Sequence, residues 1–356
     1  MRKRIMVAMS GGVDSATTAA LLKEEGHEVI GVTMQLWDYG DAEGGCCSVD
    51  EVRDARRVAD QIGIPHYVVN YMDKFKEFIV EDFINKYMDG KTPSPCVLCN
   101  EYMKFEFLMK RSLELDADFL ATGHYARVVL DKDSGNYYLQ KALDSNKDQS
   151  YFLFTLKQKE LSRVMFPLGD KTKQEVRKLA QTFNLKVANK PDSQGICFIT
   201  GNSYKDFLKD HTAASNTAGE IVDTDGNIVG NHDGIFSYTI GQRRGLGIAK
   251  GKPQYVVRID PKSNRIVVGS EEDIYSKSLF VNNLSWVNNI SDKEMKISAK
   301  IRYRHKENEA SLVLKNENEA VVTFTEPQRA ITPGQAIVFY KESEVLGGGW
   351  ISEVLH

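Results

Sequence analysis

Two consecutive glycines between an apolar strand and a helix leave this chain few ways to begin folding. Ile5 to Met9 is a short apolar run that reads as a buried strand. Ser15 to Glu25 reads as a helix, with Ala16, Ala19, Ala20 and Leu22 inward and Gly26 as its stop. Between them lies Ala8-Met9-Ser10-Gly11-Gly12-Val13-Asp14-Ser15. The glycines let the backbone turn sharply and approach a phosphate closely. Ser10, Ser15 and the first N–H groups of the helix can all donate to phosphate oxygens. Ala8 to Ser15 is therefore a candidate ATP site, the competing reading being a tight turn with a capping Ser or Asp. The loop has no Gly-Lys-Ser/Thr, so it is not a Walker loop, and Gly-x-Gly-x-x-Gly is absent too.

Strands and helices alternate after this turn. Strands are expected at Val29–Leu36, His66–Val69 and Asp118–Thr122, and helices around Val52–Ile62, Phe75–Phe83, Lys104–Leu115, Ser150–Leu156 and Thr172–Leu185. This order predicts an α/β, Rossmann-like domain with a parallel sheet covered on both faces. Ligands of such sheets sit at the carboxyl ends of the strands, where the Ser10 loop, Met34 and Thr122-Gly123-His124 fall. After about Tyr204, Gly-rich turns and short alternating runs replace the helices. Val256–Ile259 and Arg265–Val268 read as a hairpin, and strands are expected at Lys296–Tyr303, Glu309–Leu314, Ala320–Phe324 and Ala336–Tyr340. A small central β-rich domain followed by a C-terminal β-barrel results, with domains at 1–204, 205–277 and 278–356. The length of 356 residues fits two or three domains.

A net charge of −3 gives no global pull toward nucleic acid. Locally, Phe236 to Arg265 carries Arg243, Arg244, Lys250, Lys252, Arg258, Lys262 and Arg265 against Asp260 alone. Lys300, Arg302, Arg304 and Lys306 would share one face of a strand, a stripe suited to a phosphate backbone or merely to solvent. No apolar run approaches the roughly 18 residues of a membrane span, and the expected location is the cytoplasm, with no membrane partner.

Five cysteines, Cys46, Cys47, Cys96, Cys99 and Cys197, are too few and odd in number for a secreted disulfide framework. Cys46 and Cys47 receive no role. Pro93-Ser94-Pro95-Cys96-Val97-Leu98-Cys99 is a proline-stiffened loop entering a helix, whose N-terminal dipole favours a Cys99 thiolate. Cys197, in Gly195-Ile196-Cys197-Phe198, supplies a second sulfur. Two reactive cysteines beside an ATP loop suggest sulfur transfer. Burial as small apolar residues and an iron–sulfur cluster on Cys96, Cys99 and Cys197 stay open, whereas structural zinc lacks a second ligand pair.

The Ser10–Ser15 string resembles the pyrophosphate-binding loop of PP-loop ATPases, the adenine nucleotide alpha hydrolase fold. With Thr-Pro-Ser-Pro-Cys-Val-Leu-Cys-Asn, Ala-Thr-Gly-His-Tyr-Ala, Lys-Asp-Gln-Ser-Tyr-Phe-Leu, Gly-Ile-Cys-Phe-Ile and Thr-Ile-Gly-Gln-Arg-Arg-Gly-Leu-Gly in order, the whole chain resembles the bacterial tRNA-specific 2-thiouridylases. That resemblance implies adenylylation of the C2 oxygen of wobble uridine 34 in tRNA for Lys, Glu and Gln, then replacement of that oxygen by a persulfide sulfur. It implies Cys99 as nucleophile and Cys197 as persulfide carrier. ATP would be held by Ala8, Met9, Ser10, Gly11, Gly12, Val13, Asp14, Ser15, Met34 and Gly123, with Asp14 helping to hold Mg2+ on the phosphates. Ser94, Pro95 and Cys96 stand where many members have Asn-Pro-Asp against the flipped base. His124, Lys147, Asp148, Gln149, Arg302, Tyr303 and Gln335 match positions near the base or tRNA. On the residues alone, Lys147–Gln149 reads equally as a helix cap and His124 as a structural histidine. A cysteine desulfurase or sulfur-relay protein is the implied donor.

Overall fold

The computed structural model describes residues 1–38, 49–192, 195–199, 203–211, 217–248 and 251–355. Cys46, Cys47 and Lys250 lie outside these. The first strands are β1 (Arg4–Ala8), β2 (Glu28–Gln35), β3 (His66–Asn70) and β4 (Phe119–Ala121). A hairpin, β5 (Ala126–Leu130) and β6 (Tyr137–Lys141), precedes the short β7 (Val164–Met165). A parallel sheet runs β3-β2-β1-β4-β7. Its centre is apolar on both faces, as helices on both sides require. Met6, Ile30 and Val32 pack on one face, with Phe75, Phe83 and Leu108. Ile5, Val7 and Val29 pack on the other, with Ala16, Ala19, Ala55 and Val58. Gly26 and Gly63 end their helices with φ of +83° and +67°, the left-handed C-terminal stop the sequence implied.

The central unit contains β8 (Gly219–Asp223), β9 (Ile228–His232), β10 (Tyr255–Asp260) and β11 (Arg265–Gly269), in the order β10-β11-β8-β9. Then come β12 (Tyr275–Trp286), β13 (Glu294–Lys300), β14 (Asn308–Asn316), β15 (Glu319–Arg329), β16 (Ala336–Lys341) and β17 (Glu344–Leu355). They form a barrel ordered β12-β15-β14-β13-β16-β17 and closed by pairing of β12 with β17. Closure leaves no exposed edge between these two strands. Among the described residues, no helix is long and apolar enough to cross a membrane.

Two expected elements differ. Ser150–Leu156 is not a helix; a 3-10 turn spans Ser150–Phe152. Local hydrogen bonding wins there, because Asp148 accepts from the Ala142 and Ser150 N–H groups and the Ser150 hydroxyl. The strand expected at Lys296–Tyr303 stops at Lys300, and the chain turns with His305 N–H donating to Arg302 O at 3.0 Å. Lys300, Arg302, Arg304 and Lys306 therefore do not form one stripe. Lys300 lies 4.0 Å from Asp148, Arg302 is half-buried and donates to Arg329 O, and Arg304 and Lys306 are exposed. In the central unit, Arg265 is paired with Glu220 at 2.6 Å, while Arg243 and Lys252 line an open cleft.

Candidate active site

A cavity of about 330 Å3 opens at the carboxyl ends of β1, β2 and β4. Ala8, Met9, Ser10, Asp14 and Ser15 line it from the first turn, Met34 from the end of β2, and Gly123 and His124 from the loop after β4. Pro95, Cys96, Cys99, Gln149 and Cys197 complete the same wall. The phosphate loop and three of the five cysteines thus share one space.

The loop is built to leave donors free. Gly12 caps the helix Val13–Glu24 without any side-chain hydrogen bond. Ser15 Oγ donates to Gly12 O at 3.2 Å and accepts from Ser10 N–H at 3.1 Å, which fixes the turn. Gly11 has φ +74°, and a Cβ there would lie 2.3 Å from the Glu51 carbonyl oxygen. Gly11→Ala is expected to cost about 2 kcal/mol or more and to weaken nucleotide binding at least ~10-fold, measurable by thermal unfolding and nucleotide titration. Gly123 is equally constrained, since its Cβ would meet the Asp14 carbonyl carbon and Ser15 N at 2.9 Å.

Asp14 carries an ion network that nothing in the sequence announced. Lys173 Nζ donates to both its oxygens at 2.8 Å, and Tyr125 OH donates at 2.9 Å. Burial and the Asp14 carboxylate push the Tyr125 phenol far up, so it stays a donor. Lys173 also contacts Asp192 at 2.7 Å, and Asp192 takes Lys147 at 2.8 Å. Lys190 ties Gly11 O to Asp54. The expectation of Asp14 as a magnesium ligand meets a carboxylate already engaged on both oxygens. Among the described residues, Cys96, Cys99 and Cys197 included, no three His, Cys, Asp or Glu side chains stand together as a metal site. The residues present do not fit a resident cluster.

Cys99 begins a π-helical stretch, Cys99–Leu108, inside one helix that starts at Pro95 and ends at Glu114. Such wide turns are rare and favour functional sites. This one turns Cys99, Asn100 and Lys104 toward the cavity. Ser94 and Pro95 are buried and Cys96 is exposed. Phe152 lines the cavity, and Tyr303 packs on it at 4.4 Å between ring centroids, so an aromatic wall stands beside Cys96. Burial raises the Tyr303 phenol, with Asp148 adding to it.

The remaining residues divide between the site and its support. His124 is buried, with Thr122 Oγ1 at 2.6 Å from Nδ1 and Lys104 Nζ at 3.3 Å from Nε2. Gln149 accepts from Tyr125 N–H at 3.0 Å. Asp148 is 6% exposed, and its oxygens serve the local turn. Gln335 donates to Thr92 O at 3.2 Å and Pro93 O at 2.7 Å, so the barrel holds the cysteine loop. Lys104, Tyr125, Lys173 and Asp192 were not among the sequence candidates. Tyr125 alone had a signal, its place just after a strand end.

Profiles described as tRNA methyl transferase HUP domain, tRNA methyl transferase PRC-barrel domain and aminomethyltransferase beta-barrel domain match residues 3–201, 205–270 and 276–351. A "tRNA-specific 2-thiouridylase MnmA" of Geobacter metallireducens is 51% identical, over 99% of this chain and 98% of its own. One of Halothermothrix orenii is 50% identical, over 98% and 99%. The chain belongs to the tRNA-specific 2-thiouridylase family. Among solved structures, a 4-thiouridine synthetase bound to RNA and ATP is 18% identical, with a TM-score of 0.39 over 58% of this chain and 50% of its own. Within the 2-thiouridylase family frame, the three-part order of parallel sheet, small β unit and barrel is what this chain shows.

Proposed function

We propose that this chain is an ATP-dependent tRNA-uridine 2-sulfurtransferase of the cytoplasm. The observation that carries the reading is the shared cavity, lined by Ser10, Asp14 and Ser15 of the phosphate loop and by Cys96, Cys99 and Cys197. A phosphate loop alone would serve many adenylating enzymes, and the sulfur atoms beside it select thiolation. The profile descriptions speak of methyl transfer, yet a methyl group needs neither thiol. ATP binds with its phosphates on Ser10, Ser15 and the N–H groups of the first helix. Magnesium enters with ATP, carried on the phosphates.

Uridine 34 of tRNA for Lys, Glu or Gln leaves its stack to enter the cavity. Stacking on Phe152 and Tyr303 is worth about 1–3 kcal/mol per base in comparable sites. Its C2 oxygen attacks the α-phosphorus, pyrophosphate leaves, and the N3 proton passes to solvent. The terminal sulfur of a Cys197 persulfide then bonds to C2 and AMP departs. The Cys99 thiolate attacks the inner sulfur of Cys197, which frees the transferred sulfur and forms a disulfide that an external thiol reduces. A cysteine desulfurase or sulfur-relay protein loads Cys197. The first domain (1–204) performs this chemistry, while residues 205–277 and 278–356 grip the tRNA through groups such as Arg243, Lys252 and Arg302.

The test combines purified protein, ATP, unmodified tRNA and a persulfide donor. One 2-thiouridine should appear at position 34 for each AMP released. Absence of both products overturns the proposal, and iron and sulfide in anaerobically purified protein would reinstate a cluster.

A further inference from the structure

We infer that Lys104 is a catalytic cation of the adenylylation step, holding the α-phosphate of ATP while His124 aims it. The inference deepens the sulfurtransferase reading and rests on it. Lys104 lines the cavity together with Ser10, Ser15, Gly123 and Cys99. Its Nζ lies 3.3 Å from His124 Nε2. An ammonium only donates, so Nε2 accepts, and the ring proton resides on Nδ1, donated to Thr122 Oγ1 at 2.6 Å. Complete burial, and then the Lys104 charge, push the His124 imidazole well below its ordinary range. It stays neutral and serves as an acceptor.

The charge balance around the loop points the same way. Lys147 and Lys173 contact Asp192, and Lys190 contacts Asp54. Among the described residues, Lys104 has no carboxylate partner. A half-buried cation held by a neutral imidazole, facing a phosphate loop, lacks only an arriving anion. The backbone supports the distance. Gly123 touches the Asp14–Ser15 backbone, His124 holds Lys104, and Tyr125 holds Asp14, three consecutive residues joining the lysine to the loop.

In the step itself, the uridine C2 oxygen forms a bond to the α-phosphorus as the bond from that phosphorus to the bridging oxygen breaks. The electron pair leaves with pyrophosphate, and the N3 proton goes to solvent. Lys104 transfers no proton; it stabilises charge on the non-bridging oxygens.

The experiment measures single-turnover pyrophosphate formation with unmodified tRNA and ATP for Lys104→Met and Lys104→Arg. Lys104→Met should slow pyrophosphate formation by about 10^2 to 10^3-fold with only a few-fold change in the KM for ATP. Persulfide loading of Cys197, read by mass spectrometry, should be unchanged, which also shows that the variant is folded. Lys104→Arg should recover part of the rate, and His124→Gln should lower it about tenfold. Pyrophosphate formation by Lys104→Met within about threefold of the parent overturns the inference. So does a shifted pH profile of Cys99 alkylation with pyrophosphate formation intact, since the lysine would then serve the thiol. If the parent protein forms no pyrophosphate, the sulfurtransferase reading fails, and this inference with it.

Discussion

Cys197→Ser should lower 2-thiouridine formation by about 10^3-fold or more while AMP release continues. The serine cannot carry a persulfide, but the phosphate loop and its lysines are untouched. The adenylylated uridine would hydrolyse back, so ATP would be spent without thiolation. Cys99→Ser should behave differently. Cys197 would still accept sulfur, seen by mass spectrometry, yet its release would stall because no thiolate attacks the inner sulfur. Both cysteines are half-buried in the same cavity wall, which makes the exchange feasible only when its segments are in place. Full thiolation by Cys197→Ser would overturn the carrier assignment. Sulfur release by Cys99→Ser at the parent rate would remove Cys99 from the sequence.

Lys173→Met is expected to damage both stability and ATP binding. Its ammonium is 10% exposed and bridges Asp14 to Asp192 at 2.8 and 2.7 Å. Removing it leaves two carboxylates facing one another across the phosphate loop. Breaking such a bridge costs about 3 kcal/mol where burial is high, and the partial exposure of both acids places the effect at or below that figure. ATP binding should suffer more than stability, because the extra negative charge repels phosphate. Denaturant unfolding and nucleotide titration separate the two, and unchanged values in both would exclude the bridge as a support. The pH dependence has a defined sign. Partial burial raises the Asp192 carboxyl, but hydrogen bonds from Lys147 and Lys173 and their charges outweigh it and hold the group low. Its stabilisation is present above the ordinary carboxylate range and is lost as pH falls through the lower folded value.

The first turn was legible because its chemistry is local. Gly11, Gly12, Ser10 and Ser15 mark a sharp strand-to-helix turn within six residues, and the strand ends carrying Met34 and Gly123 follow from the parallel order of the sheet. What was not legible lies in pairings across long separations. Lys173 reaches Asp14 over 159 residues of chain, and no periodicity marks it. Lys104 sits in a helical pattern that counts as ordinary until the π-turns redirect it. The barrel was foreseen, but its two longest strands were not. Gly347 and Gly348 lie in β17, where a Cβ would strike Trp286 or Phe154. There the missing side chains make room for aromatic neighbours. The Lys300–Lys306 stripe failed for the opposite reason, since alternation in sequence says nothing about where a strand stops.

Gln335 and the turn before it link two parts of the molecule that the sequence would treat as separable. Gln335 donates to the carbonyls of Thr92 and Pro93, Thr92 N–H donates to Pro333 O, and a Cβ at Gly334 would lie 2.8 Å from Thr92 O. The shape of the cysteine loop is therefore written partly in the barrel. A chimera that exchanges barrels between relatives should keep both halves of this seam from one parent. A change on one side of the seam has to be matched on the other, so these two short stretches act as a single structural unit despite some 240 residues of intervening chain.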